Sequence, residues 1–173
     1  EHIALNRESV SWMCRTYAAM GLPPVVRITH CDPDLATVAL DDGAVGVVAP
    51  YVETAVQATA LRGATKFRPL KGERLQAALD GDPLEPELAQ YIEKNTANNV
   101  LFVNIESVPA INALDSILDV PGIDSILIGP HDLSTNLGIP EQYQHPVFLD
   151  AVETIFRKAR DRNIGAAIHA WGT

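Results

Sequence analysis

The chain has 173 residues, enough for one domain with a sizeable core, and that length favours one domain over two. Hydrophobic residues make up 47% and charged residues 20%, which excludes a disordered chain and fits a soluble globular one. The net charge of −9 argues against nucleic acid or an anionic membrane as partner, because either would repel it.

In chain order, residues 9–20 read as a helix stopped by Gly21. Residues 24–28 (PVVRI) are the first strand candidate. Asp32-Pro33 then reads as an N-cap with proline at the first helical position, opening a helix to about Asp41. A strand at 45–49 (VGVVA) leads to a helix at 53–61 that ends at Gly63. Residues 68–83 read as irregular, and a helix at 85–97 follows Pro83. The next strand is 100–105 (VLFVNI). Ser107-Val108-Pro109 opens a helix to about Leu118, and Pro121-Gly122 stops the chain after it. A strand at 125–128 (SILI) precedes a short helix at 133–137. His145-Pro146 opens a longer helix to about Arg162, followed by a strand at 164–168 (IGAAI). The strand candidates are apolar at nearly every position, which suits a parallel sheet covered on both faces. The β-α alternation predicts an α/β protein, and by itself leaves a closed barrel and an open doubly wound sheet both standing.

In parallel α/β folds the chemistry collects at the carboxyl ends of the strands. Arg27 sits near the end of its apolar run, Glu106 follows 100–105 directly, Gly129-Pro130-His131-Asp132 follows 125–128, and His169 follows 164–168. Asp41 and Asp42 precede a strand and so belong to a helix end. Each has a plain structural alternative. Glu106 would serve as an acid beside the next helix start, Asp132 as an N-cap, Arg27 as a snorkelling strand-end arginine, and His2 as a terminal residue without context. Their coincidence on one edge favours a site. Two carboxylates with no Cys/His cluster suit a hard cation, Mg2+ or Mn2+, with water and substrate oxygens completing the shell. Cys14 and Cys31 form no CxxC pair and are too few for a disulfide framework, so reduced thiols in a cytoplasmic protein are expected. No signal peptide and no 18-residue apolar run is visible in these residues. GxSxG, GxxxxGK[ST], HExxH and GxGxxG are all absent from the sequence.

At these residues the chain resembles the HpcH/HpaI aldolase family, the class II pyruvate aldolases. Residues 1–6 (EHIALN) are similar to its EHxxxN segment, 40–44 (LDDGA) with 47–50 (VVAP) to LDxGA…P, and 103–106 (VNIE) to its VxIE strand end. Residues 121–124 (PGID) with 128–134 (IGPHDLS) resemble GID…IGPxDLS. The resemblance implies a TIM (β/α)8 barrel, incomplete in this single 1–173 domain, with the first and last strands missing. It implies Glu106 and Asp132 as metal ligands for Mg2+ or Mn2+, with Co2+ as a further candidate. His2 would be the catalytic base, Asp41 its acid partner, and Arg27 the arginine beside the reacting carbonyl. Gly129, Pro130 and His131 would belong to the segment that receives the substrate carboxylate through its main chain. The implied reaction cleaves a 4-hydroxy-2-oxo acid into pyruvate, or a related 2-oxo acid, and an aldehyde. The implied assembly is a homo-oligomer, a dimer or hexamer. Residues 66–79 (KFRPLKGERLQAAL) depart from the Arg-Gly-rich loop of familiar members, so no particular aldehyde is implied.

Three rivals stand beside this reading. One is a lyase on CoA thioesters, of the citrate-lyase-β or malyl-CoA type. The second is a non-catalytic barrel fragment. The third is an open flavodoxin-like binding domain, which would need a Gly-rich phosphate loop that the sequence lacks.

Overall fold

The computed structural model describes residues 6–169. Among these residues five parallel strands form one sheet: β1 (Val25–Arg27), β2 (Gly46–Ala49), β3 (Val100–Asn104), β4 (Ser125–Ile128) and β5 (Gly165–Ile168). Their spatial order is their order in the chain. Nine helices accompany them among the described residues: α1 (Arg7–Ala19), α2 (Pro33–Asp41), α3 (Ala55–Lys66), α4 (Gly72–Asp80), α5 (Pro86–Thr96), α6 (Val108–Asn112), α7 (Leu114–Leu118), α8 (Pro130–Asn136) and α9 (Pro146–Asp161). None of these helices is long and apolar enough to cross a membrane.

Sequential parallel order decides between the two sheet architectures the sequence left open. Right-handed crossovers between neighbours that never reverse direction put every connecting helix on the same face. A doubly wound sheet needs a reversal, and this one has none. The burial pattern agrees. Val47, Ala49, Leu101, Val103, Ile126 and Ile128 alternate with their neighbours, face the helices and are 0% exposed. They pack with Ala58 and Leu61 of α3, Leu114 and Ile117 of α7, and Ile155 and Ala159 of α9. Each large aliphatic so buried contributes about 1.5–3 kcal/mol. The opposite face carries Arg27, Val48, Phe102, Ser125 and Gly165 in one row and Asn104, Leu127 and Ala167 in the next. Val48, Phe102 and Leu127 there are only half-buried and Ala167 is exposed. This is the inner wall of a TIM-barrel-like fold, seen from its open side. Close approach fixes two inner positions. A Cβ on Gly46 would lie 2.2 Å from Val100 Cγ2, and one on Gly165 would lie 2.8 Å from Ser125 Oγ.

The local signals for helix starts act as expected in three places. Asp32 accepts from the Asp34 N–H, Ser107 from the Ala110 N–H, and His145 Nδ1 from the Val147 N–H, each followed by proline in the first turn. Elsewhere the helices differ from the reading of the sequence. The helix expected to end at Gly63 runs on to Lys66, because Gly63 is a contact and not a stop: a Cβ there would meet Leu75 and Leu79 of α4 at 3.2–3.3 Å. The stretch expected to be irregular contains α4 itself. The helix expected from Ser107 to Leu118 is broken at Ala113, whose φ of −94° and ψ of 6° leave the α region.

Candidate active site

The carboxyl ends of four successive strands meet at one rim. Arg27 closes β1, Tyr51 lies two residues beyond β2, Asn104 and Glu106 end and follow β3, and Gly129 and Asp132 follow β4.

Glu106 is the most confined of these, 2% exposed. Two residues from Asn104, its side chain emerges on the same face of the chain. Asn104 Nδ2 donates to Glu106 Oε1 at 2.7 Å, and the Tyr51 main-chain N–H donates to Oε2 at 3.2 Å. Burial pushes the Glu106 carboxyl above its ordinary range, against the pull of these two hydrogen bonds; the charge of Asp132 adds to the rise and that of Arg27 opposes it. Gly129 makes room for the group, since a Cβ there would lie 2.4 Å from Glu106 Oε1.

Asp132 is not the N-cap of its helix. Gly129 holds that place, so Asp132 sits in the first turn of α8 and projects to the rim. The Tyr51 hydroxyl donates to its Oδ1 at 3.3 Å. Asn136, one turn on, donates from Nδ2 to the Asp132 carbonyl at 3.1 Å and to the Tyr51 hydroxyl oxygen at 3.5 Å. Glu106 directly precedes Ser107, which caps α6. Tyr51 itself has φ = +50°, a left-handed conformation that costs a non-glycine residue about 1–2 kcal/mol. Burial, and then the Asp132 charge, push its phenol upward in pKa.

Arg27 is half-buried on the inner face, close enough for its charge to act on Glu106. Pro130 is buried, while His131 is exposed with Nδ1 3.6 Å from Glu141 Oε1. The structure therefore brings together Arg27, Glu106, Gly129, Pro130 and Asp132. It does not bring Asp41 to them. Asp41 ends α2 at the amino rim of the sheet, where it pairs with Arg68. His2 lies outside the described residues.

Tyr51 and Asn104 went unmarked in the sequence. Asn104 was legible, since it stands one period-two step before Glu106. Tyr51 was not, because nothing about tyrosine announces a positive φ. Cys31 adds no nucleophile to this rim: burial, then Asp32 and Glu53, push its thiol up to about 11.

The donor set suits a hard divalent cation. Two carboxylates from neighbouring strand ends are what Mg2+ or Mn2+ commonly takes from a protein, with other positions left to water and substrate. Among the described residues no three His, Cys, Asp or Glu gather as a closed cage would require. Asn104 Oδ1 is buried beside Glu106 without a partner, so the pocket has polar capacity to spare.

Comparison with known proteins identifies the family. The family described as HpcH/HpaI aldolase/citrate lyase matches residues 4–169. A 2-keto-3-deoxy-L-rhamnonate aldolase of Shigella boydii is 32% identical over 160 residues, covering 92% of this chain and 60% of the relative. The chain thus spans less than two thirds of the curated relatives it matches. The crystal structure of an HpcH/HpaI aldolase from Desulfitobacterium hafniense superposes with a TM-score of 0.83 at 27% identity, covering 100% of this chain and 67% of that one. A structure named citrate synthase SbnG superposes equally well, with a TM-score of 0.83 at 26% identity, covering 99% of this chain and 66% of its own. Matched over nearly all of its length in sequence and in fold, the chain belongs to the HpcH/HpaI aldolase/citrate lyase family.

Proposed function

We propose that this rim is the working part of a divalent-metal-dependent aldolase that cleaves 4-hydroxy-2-oxo acids to pyruvate, or a related 2-oxo acid, and an aldehyde. The observation that carries the reading is Glu106: a carboxylate 2% exposed, beside Asp132, hydrogen-bonded to neutral donors. Such a group is poorly stabilised without a cation. Glu106 and Asp132 would hold Mg2+, Mn2+ or Co2+, which supplies Lewis acidity to a chelating 2-oxo acid. Arg27 would place a fixed positive charge where negative charge develops on the ketone oxygen. Main-chain N–H groups of the segment from Gly129 to Asp132, with Pro130 and His131 shaping it, would receive the substrate carboxylate. His2 would take the proton from the 4-hydroxyl. Asp41, which pairs with Arg68, would be the acid partner of that base. A cytoplasmic homo-oligomer, dimer or hexamer, fits the resemblance.

The second reading is carbon–carbon bond chemistry on a different acyl partner, favoured by the relative named citrate synthase. Activity with thioesters instead of free 2-oxo acids would select it. The test of the first reading is a panel of aldehydes offered with pyruvate. Chelator is expected to abolish condensation and added Mn2+ or Mg2+ to restore it. Condensation that survives exhaustive chelation would overturn the metal-dependent reading.

A further inference from the structure

We propose that Tyr51 is the positioning residue that ties the two carboxylates of the rim into one unit and fixes which oxygen of Asp132 is offered to a divalent cation. This rests on the metal-dependent reading above.

Glu106 and Asp132 come from different strand ends, and no hydrogen bond described between them links the two. Tyr51, from a third strand end, reaches both. Its main-chain N–H donates to Glu106 Oε2 at 3.2 Å and its hydroxyl to Asp132 Oδ1 at 3.3 Å. The left-handed φ of +50° is what allows one residue to do this, turning the N–H toward Glu106 while the ring extends over α8. The next residue returns to the sheet at once, with the Val52 N–H donating to the Asn104 carbonyl at 3.3 Å. Asn136 Nδ2 approaches the phenol oxygen at 3.5 Å as a donor, which leaves the phenol proton directed to Asp132. With Oδ1 engaged in this way, Oδ2 is the Asp132 oxygen available to a cation. Both Glu106 oxygens are already oriented, by Asn104 and by Tyr51. Tyr51 is 40% exposed, so its hydroxyl acts at the mouth of the site and its loss leaves the core intact. Partners of metal-binding carboxylates of this kind alter metal affinity by about 10–100-fold when removed.

The experiment is Mn2+ binding to the purified metal-free chain, read by the loss of the free-ion resonance, for wild type, Tyr51→Phe and Tyr51→Gly. Thermal melts in chelator are run beside it. Tyr51→Phe removes only the hydroxyl. Tyr51→Gly also removes the ring, but suits the positive φ and keeps the N–H on Glu106. Both variants are expected to bind Mn2+ about 10–100-fold more weakly, with metal-free melting of Tyr51→Phe unchanged. Wild-type affinity in Tyr51→Phe would overturn the proposal and leave the carboxylate pair standing as the metal site. Weak binding in Tyr51→Gly alone would also overturn it, since the ring and not the hydroxyl would then be responsible. Absence of Mn2+ binding in wild type would remove the metal-dependent reading and this proposal together.

Discussion

At the amino rim of the sheet, acids meet bases. Arg7 Nε bonds both oxygens of Asp42 at 3.0 Å, Arg68 pairs with Asp41, and Lys66 Nζ lies 2.7 Å from Asp124. At the carboxyl rim, Glu106 and Asp132 take their described hydrogen bonds from an amide, a peptide N–H and a phenol, all neutral. The same residue type is thus treated in opposite ways at the two ends of one sheet. A paired acid has its charge balanced and is a poor host for anything else. A buried acid held by neutral donors keeps unspent attraction for a cation, at a cost in stability, and such perturbed groups mark functional sites. Among the described residues, Arg27 is the cation whose charge acts on Glu106.

The strongest way to break this contrast is Glu106→Gln. Turnover and Mn2+ binding are expected to fall below detection, while the metal-free protein becomes more stable at neutral pH. Burial raises the Glu106 pKa in the folded state, so folding favours its protonated form. The stability it contributes is present below the ordinary carboxylate range and is lost as pH rises through the raised pKa. The variant carries no such loss. Its new amide can also be met by the orphan Asn104 Oδ1 if that amide turns over. Melting in chelator from about pH 4 to about pH 8 checks this. Wild type should lose ground to the variant as pH rises. Equal melting curves throughout would mean that Glu106 carries no buried charge. Mn2+ binding to wild type should run the other way, weakening as pH falls through the same window.

A smaller effect is expected from Arg27→Lys. The charge survives but the planar guanidinium does not, and kcat should drop about 100-fold, the scale of losing one donor to a developing oxyanion. Steady-state kinetics at saturating Mn2+ measures it, and wild-type turnover would remove Arg27 from the chemistry.

The smallest effect belongs to the other rim. Lys66→Met breaks the contacts to Asp124 and to the Asn99 carbonyl, and should cost about 1 kcal/mol in denaturant unfolding with turnover unchanged. Lys66 ends α3 and is bonded to Asp124 at the amino rim, away from Glu106 and Asp132, so it is badly placed to form an imine with a substrate there. Loss of activity in this variant, with a borohydride-trapped pyruvyl adduct on wild-type Lys66, would replace the metal mechanism by an imine.

The strands were legible because each is a short apolar run between turn residues, and residues 125–128 coincide with β4. The helix α4 was hidden because its neighbours carry the wrong punctuation: Pro69 and Gly72 suggest a loop, and Lys71 makes no side-chain cap. Gly63 misled for the opposite reason, since a close contact between two helices leaves the same letter as a helix stop. At the site, Glu106 and Asp132 could be found by their places after apolar runs, and Arg27 by its place near the end of one. Tyr51 could not, because its role comes from a backbone angle and from two partners at positions 106 and 132.

Strand order also bears on how the chain assembles. Each parallel pairing joins strands adjacent in the chain, so each closes a single loop that needs no later segment. The pairing of Gly46 with Val100 encloses α3, α4 and α5 and is the longest of the four closures. Closure entropy rises only with the logarithm of loop length, about 0.6 kcal/mol per doubling. The extra helix is therefore a cheap insertion, placed in the connection that begins at Tyr51. Evolution can lengthen, shorten or exchange α4 there without shifting the register that holds Glu106 next to Asp132.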